Sequence, residues 1–229
     1  MNYVIASNRQ WHRAMVERLN LSQEGVFYWI DSPEDLSVAA MRRIDPRYIF
    51  FPHWSHIIPE EIHSQWECVI FHMTDVPFGR GGSPLRNLIV RGIYETKLSA
   101  LRCISELDAG PVYAKRDLCL HGSAEEVYLR ASAIAEEMIA WIVAEEPEPV
   151  PQVGEPVVFE RRRPEQSRIE NMDLIRVFDH IRMLDADGYP AAFIEIDGLR
   201  IEFTRATLRS GKVVAQAEIT EMDRKDSNR

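Results

Sequence analysis

The sequence predicts an α/β fold, in which a mostly parallel sheet carries helices on both faces and a small α+β subdomain follows. Three observations lead there. Short β-branched and aromatic runs alternate with stretches of helical period through the first two thirds of the chain. Those runs are apolar throughout, as in strands covered on both sides. After a proline-rich break the pattern changes to a helix followed by hairpin strands.

The elements follow in order. "YVIAS" (Tyr3 to Ser7) is a strand that ends in a turn, and the helix after it places Trp11, Met15 and Leu19 on one side. "GVFYWI" is a second strand and "PEDLSVAAMRRI" a helix opened by acidic residues. "RYIFFP" and "ECVIFH" are the third and fourth strands, with "IPEEIHSQW" between them as a short helix. A loop, the helix "SPLRNLIVRG" and the strands "TKLSALRCI" and "PVYAKRDL" come next, the last two joined by the turn "SELDAG". A long helix starts at Ser123, whose hydroxyl and Glu126 fit a capping box. This arrangement is Rossmann-like and occupies 1–146. The linker 147–156 carries Pro147, Pro149, Pro151 and Pro156. In 157–229 the reading gives a strand, the basic run "ERRRPEQSR", a helix near Asp173 to Leu184, a hairpin around "DGLR", the strand "KVVAQAEI" and a frayed tail "DRKDSNR".

The chain has 229 residues, is 45% hydrophobic and 28% charged, and has a formal net charge of -9. That acidity argues against a broad phosphate-neutralising surface, so DNA is excluded as a partner and tRNA is disfavoured. No apolar run approaches the length of a membrane span and no leader pattern opens the chain, so no membrane partner is expected and the reading is cytoplasmic. Cys68, Cys103 and Cys119 are widely spaced without a CxxC pair, so no disulfide and no metal site is expected.

Ligands of such sheets sit beyond strand ends. His72 ends the fourth strand and leads into "MTDVPFGRGG", and Asp108 stands on the turn before another strand, where it can face the same crevice. A histidine with a carboxylate is the minimum for proton transfer in acyl chemistry. At the first strand-to-helix turn, Ser7, Asn8 and Arg9 either hold an anionic substrate group on free N–H groups or simply cap the helix. Gly81, Gly82 and Ser83 either let a substrate approach the backbone or make a turn.

The stretch "HMTDVPFGRGG" with the later "LDAGP" resembles the formyltransferases that use 10-formyltetrahydrofolate. His72, Pro77, Arg80 and Gly81 fall in register with the first motif, and Leu107, Asp108, Gly110 and Pro111 with the second. Thr74 replaces a serine, and Ile70 stands where the family carries an asparagine. "WSHIIP" is similar to the segment that lines the folate pocket. The resemblance implies formyl transfer to a primary amine, with His72 stabilising the oxyanion and Asp108 orienting it and relaying the proton. It implies folate contacts from His56, Ile57, Ile58, Ser105 and Leu107, and substrate contacts that add Arg80 to those above. The motif looks closest to enzymes acting on amino sugars of the pseudaminic acid type. The expected reaction is therefore N-formylation of an amino sugar, either free or nucleotide-linked. A methionyl-tRNA-type enzyme is the alternative, disfavoured by the charge and by the short 157–229 part, and a non-catalytic binder is the third reading.

Overall fold

The computed structural model describes residues 1–222. The first strands and helices are β1 (Asn2–Ser7), α1 (His12–Ser22), β2 (Val26–Ile30), α2 (Val38–Ile44), β3 (Pro46–His53), α3 (Glu60–His63) and β4 (Cys68–His72). Then come β5 (Phe78–Gly81), α4 (Pro84–Val90), β6 (Glu95–Arg102), β7 (Val112–Cys119) and α5 (Ala124–Glu145). The later elements are β8 (Val157–Phe159), α6 (Leu174–Arg182), β9 (Ala192–Ile196), β10 (Leu199–Arg209) and β11 (Lys212–Glu221). The tail that the sequence marks as frayed, 223–229, lies outside the described residues.

A six-stranded sheet runs in the order β2-β1-β3-β4-β6-β7. β1 pairs in parallel with β2 and β3, and β3 with β4, whereas β4 pairs antiparallel with β6. The mostly parallel α/β expectation holds. Alternation within buried strands assigns the faces. Val4, Ala6, Ile49, Phe51 and Cys68 form one cluster with Met41 of α2 and Ile62 of α3. The intervening Ile5 and Phe50 are fully buried as well, so the opposite face is also covered. α1 and α5 are joined by Trp11 Nε1 donating to Ser132 Oγ (3.1 Å) and by Arg18 donating to Glu136. Each fully buried Phe or Ile here contributes roughly 1.5–3 kcal/mol through apolar burial.

The chain forms two compact units. The first is built from Met1–Gly81, Thr96–Leu118 and Arg130–Val158, and the second from Gly82–Glu95, Cys119–Leu129 and the chain from Phe159 onward. In the second unit β9, β10 and β11 make an antiparallel sheet, and Asp173 caps α6 by accepting from Arg176 N–H (2.9 Å). The predicted capping box of α5 is present: Ser123 N–H donates to Glu126 (2.7 Å), and Glu126 N–H donates to Ser123 Oγ (3.3 Å).

Two local readings change. Phe78–Gly81, read as loop, is a strand paired with β8. α1 begins at His12 with Trp11 before it and no side-chain cap, so neither Ser7 nor Asn8 caps the helix. No helix among the described residues is long and apolar enough to cross a membrane.

Candidate active site

His72 closes β4 and is almost buried. Its Nε2 lies 2.7 Å from the Gly79 carbonyl oxygen, which only accepts, so Nε2 carries the hydrogen. Its Nδ1 is 3.5 Å from Asp108 Oδ2. That separation is longer than a good hydrogen bond, and with the hydrogen on Nε2 a bond to the carboxylate requires a second proton on Nδ1. The loop between His72 and Gly79 is held by buried Ser99, whose hydroxyl donates to Thr74 O (2.7 Å), and by Lys115, which donates to Val76 O (2.5 Å).

Asp108 reaches His72 by an indirect route. β6 runs against β4, and its end lies beside the start of β4, where Cys103 N–H donates to Cys68 O (2.7 Å). The 104–108 segment must therefore travel back along β4. Asp108 takes a left-handed conformation, φ 53°. Its Oδ2 accepts from Gly81 N–H (2.9 Å), which aims the carboxylate at the imidazole.

Gln152, in the proline-rich segment, fixes that turn. Its Nε2 donates to Asp108 O and Gly110 O, both at 2.8 Å, while its Oε1 accepts from Arg80 Nη2 at 2.9 Å. Arg80 also donates to Glu106 (3.1 Å), so its charge is matched within the first unit. Nothing in the sequence marks Gln152, because prolines around it read as a solvated spacer.

The other expected positions divide in the same way. Ile57 and Leu107 are 91% and 65% exposed, and His56 and Ser105 are exposed too. Ile58 packs with Trp54, Ile70 and Cys103 against the core cluster. Ile70 therefore sits in an apolar patch on the same strand face as His72, where an asparagine amide would need a new partner. Trp54 Nε1 is buried there without a hydrogen-bond partner among the described residues, a donor the sequence did not single out. Burial first, and then the Asp108 charge, push the Cys103 thiol up to about 11, so it is not a nucleophile near neutrality. In the second unit a Cβ on Gly82 would meet Arg161 Cα at 2.7 Å, and Ser83 Oγ accepts from Arg162 N–H (3.1 Å). Both positions hold the chain at 161–162.

Ser7 is fully buried, and its hydroxyl is committed inside the protein. It donates to His53 O (3.0 Å) and accepts from Arg9 N–H (3.2 Å). Having one hydrogen, it must accept from His12 Nδ1 at 2.6 Å. His12 Nε2 is then the acceptor for Ser132 Oγ–H at 2.6 Å, and Ser132 accepts from Trp11. Every bond in this wire runs one way, and it requires a neutral His12. Burial first, and then Arg9, hold His12 down to about 4, while burial followed by Arg9 and His12 hold His53 down to about 3. These folded-state values lie below the unfolded value of 6.5. The unfolded chain therefore binds the extra protons as pH falls below 6.5, and stability is lost towards pH 4 at up to about 1.4 kcal/mol per unit for each group. Thermal melts from pH 7 to pH 4.5 should show this decline, and His12→Gln should flatten it; an unchanged slope in that variant would refute the wire.

Known proteins share sequence and fold with this chain. A family model described as "Methionyl-tRNA formyltransferase, C-terminal domain" matches residues 164–220. A methionyl-tRNA formyltransferase from Clostridium thermocellum has a structure that is 46% identical, with 96% of this chain and 99% of that one covered and a TM-score of 0.94. The methionyl-tRNA formyltransferase of Gluconobacter oxydans is 28% identical over 61% of this chain, which spans about half (47%) of that relative's length. A sugar N-formyltransferase from a Shewanella species shares the fold at TM-score 0.71 but only 14% identity over 91% of this chain and 98% of its own. These likenesses overturn two expectations, the amino-sugar substrate and the disfavoured tRNA. Net charge summed over a whole chain does not report the local surface an acceptor meets, and a short motif does not carry substrate choice. With 46% identity over nearly its whole length, the chain belongs to the formyltransferase family.

Proposed function

We propose that the protein transfers a formyl group from 10-formyltetrahydrofolate to the amino group of methionyl-tRNA. The observation that carries the reaction is the buried His72–Asp108 pair, held by Gly81 N–H and Gln152. The acceptor rests on the 46% identity to the methionyl-tRNA formyltransferase from Clostridium thermocellum. A cytoplasmic location goes with this reading.

The residues present fit a folate. Exposed Ile57 and Leu107 offer apolar faces to a flat ring, and Ile58 packs against the core cluster. His56, Ser105 and the loop backbone supply polar edges. The folate supplies an activated formyl group and takes a proton as it leaves. One C–N bond forms at the acceptor amine, one breaks at the folate nitrogen, and one proton passes between those nitrogens. Asp108 takes that proton from the amine and returns it to the departing nitrogen. Because Nε2–H is given to Gly79 O, His72 serves the formyl oxygen as an imidazolium, whose Nδ1–H is the remaining donor as that oxygen becomes anionic. On the acceptor side Asn8 and Arg9 are the contacts, while Ser7, Arg80, Gly82 and Ser83 hold the frame. In this reading 1–146 is the catalytic part, 147–156 joins it to the rest, and 157–229 meets the tRNA.

The test mixes purified protein with 10-formyltetrahydrofolate and charged methionyl-tRNA, with uncharged tRNA and free methionine as controls. Formylmethionine released by ester hydrolysis should match the tetrahydrofolate formed, one for one. Folded protein that binds tetrahydrofolate but formylates no methionyl-tRNA would overturn the proposal.

A further inference from the structure

In the second unit, the meeting point of two strand ends carries a separate group of side chains. Leu120 N–H donates to Tyr94 O (2.8 Å), which sets Glu95 beside Cys119 and His121. Leu120 is fully buried, so its neighbours in this extended stretch project to the opposite side. One donor atom from each of Glu95, Cys119 and His121 lies within 4.8 Å of the others.

The backbone under these donors is clamped. The Tyr94 ring stacks on the His121 imidazole with centroids 5.3 Å apart and planes 7° from parallel. Tyr94 OH donates to Asp179 (2.7 Å), and Asp179 accepts from Arg182 Nε (2.7 Å). Arg182, 2% exposed, then donates from Nη1 to Leu120 O (2.6 Å) and Gly122 O (2.8 Å), on either side of His121. A buried ion pair is weak evidence for stability by itself. Here it fixes the segment that presents the imidazole.

We propose that Glu95, Cys119 and His121 bind a divalent transition-metal ion of zinc's character. A thiolate, an imidazole and a carboxylate suit zinc, whose bonds to them of about 2.0 to 2.3 Å put donors roughly 3.5 Å apart. Small side-chain rotations close the present spacing to that value. Magnesium and calcium prefer all-oxygen ligands, which the thiol excludes. Glu95 and His121 are exposed, so the fourth position is open to water or to a further ligand. Binding expels the thiol proton, and affinity falls as pH is lowered. Neither His72 nor Asp108 takes part, so the site stands or falls apart from the formyl-transfer reading.

Metal-stripped full-length protein should be titrated with Co²⁺ and then with Zn²⁺. The expected result is one equivalent bound, with a thiolate-to-cobalt charge-transfer band that zinc displaces. Cys119→Ser should abolish the band, and His121→Ala and Glu95→Gln should each weaken zinc binding at least about tenfold. Cys103→Ser should leave metal binding unchanged. Absence of the band in the wild-type protein, its survival in Cys119→Ser, or unaltered affinity in His121→Ala or Glu95→Gln would overturn the proposal.

Discussion

Asp108→Asn and His72→Ala are each expected to lower turnover by at least about a hundredfold while the protein stays folded. Loss of an oxyanion donor costs about 10² to 10³ in rate, and loss of a positioned acid–base group about 10² to 10⁴. Asparagine is the cleaner probe at 108. It tolerates the left-handed backbone found there, and its amide oxygen can still accept from Gly81 N–H. What it loses is the charge and the ability to carry a proton. Because the two groups act as a unit, the double variant should fall little further than the worse single one. Tetrahydrofolate release under saturating methionyl-tRNA, with melting curves as a check on folding, measures this. A rate within a few-fold of wild type in either variant would remove the pair from the mechanism.

Gly110→Ala should be the most damaging single-methyl change. The added Cβ would lie 1.8 Å from the Arg102 carbonyl oxygen, well inside contact distance. Neither side can give way cheaply, since Arg102 N–H donates to Pro111 O (2.9 Å) and Gly110 O is held by Gln152. A clash between backbone atoms belongs to the mechanisms that cost about 4 kcal/mol or more, a large share of a total stability of roughly 5–15 kcal/mol. For a chain of this size that corresponds to a fall in Tm of about 10 °C. Gly211→Ala is the control: a Cβ there meets nothing within 4 Å, so only the backbone penalty of its positive φ applies. A Gly110→Ala protein that melts within about 3 °C of wild type would contradict the geometry.

Much of the fold was legible because buried parallel strands leave a strong mark: "YVIAS", "RYIFFP" and "ECVIFH" each hold at least four consecutive apolar residues next to a polar one. The α5 capping box was equally plain. β5 was not, because Phe78–Gly81 holds two glycines in four residues and shows no alternation. Its partner β8 is only three residues long. Within the site, His72 could be placed from strand position alone. The path of Asp108 could not, since it depends on β6 running against β4. Ser7 looked like a ligand because it ends a strand at the turn into a helix, yet its hydroxyl faces inward to His12 and His53. The acceptor was misjudged from a motif that reports how the formyl group is handled and not what receives it.

The Gln152 amide bears on how relatives of this protein can be recombined. The prolines at 147–156 invite a crossover there, yet a hybrid joined at 146 would receive a foreign residue where one side chain secures the Asp108 turn and neutral contacts for Arg80. The first compact unit runs on to Val158. Exchanging C-terminal parts between family members should therefore keep residues up to 158 with one parent, and should match the incoming part to the stretches Gly82–Glu95 and Cys119–Leu129, with which it forms the second unit.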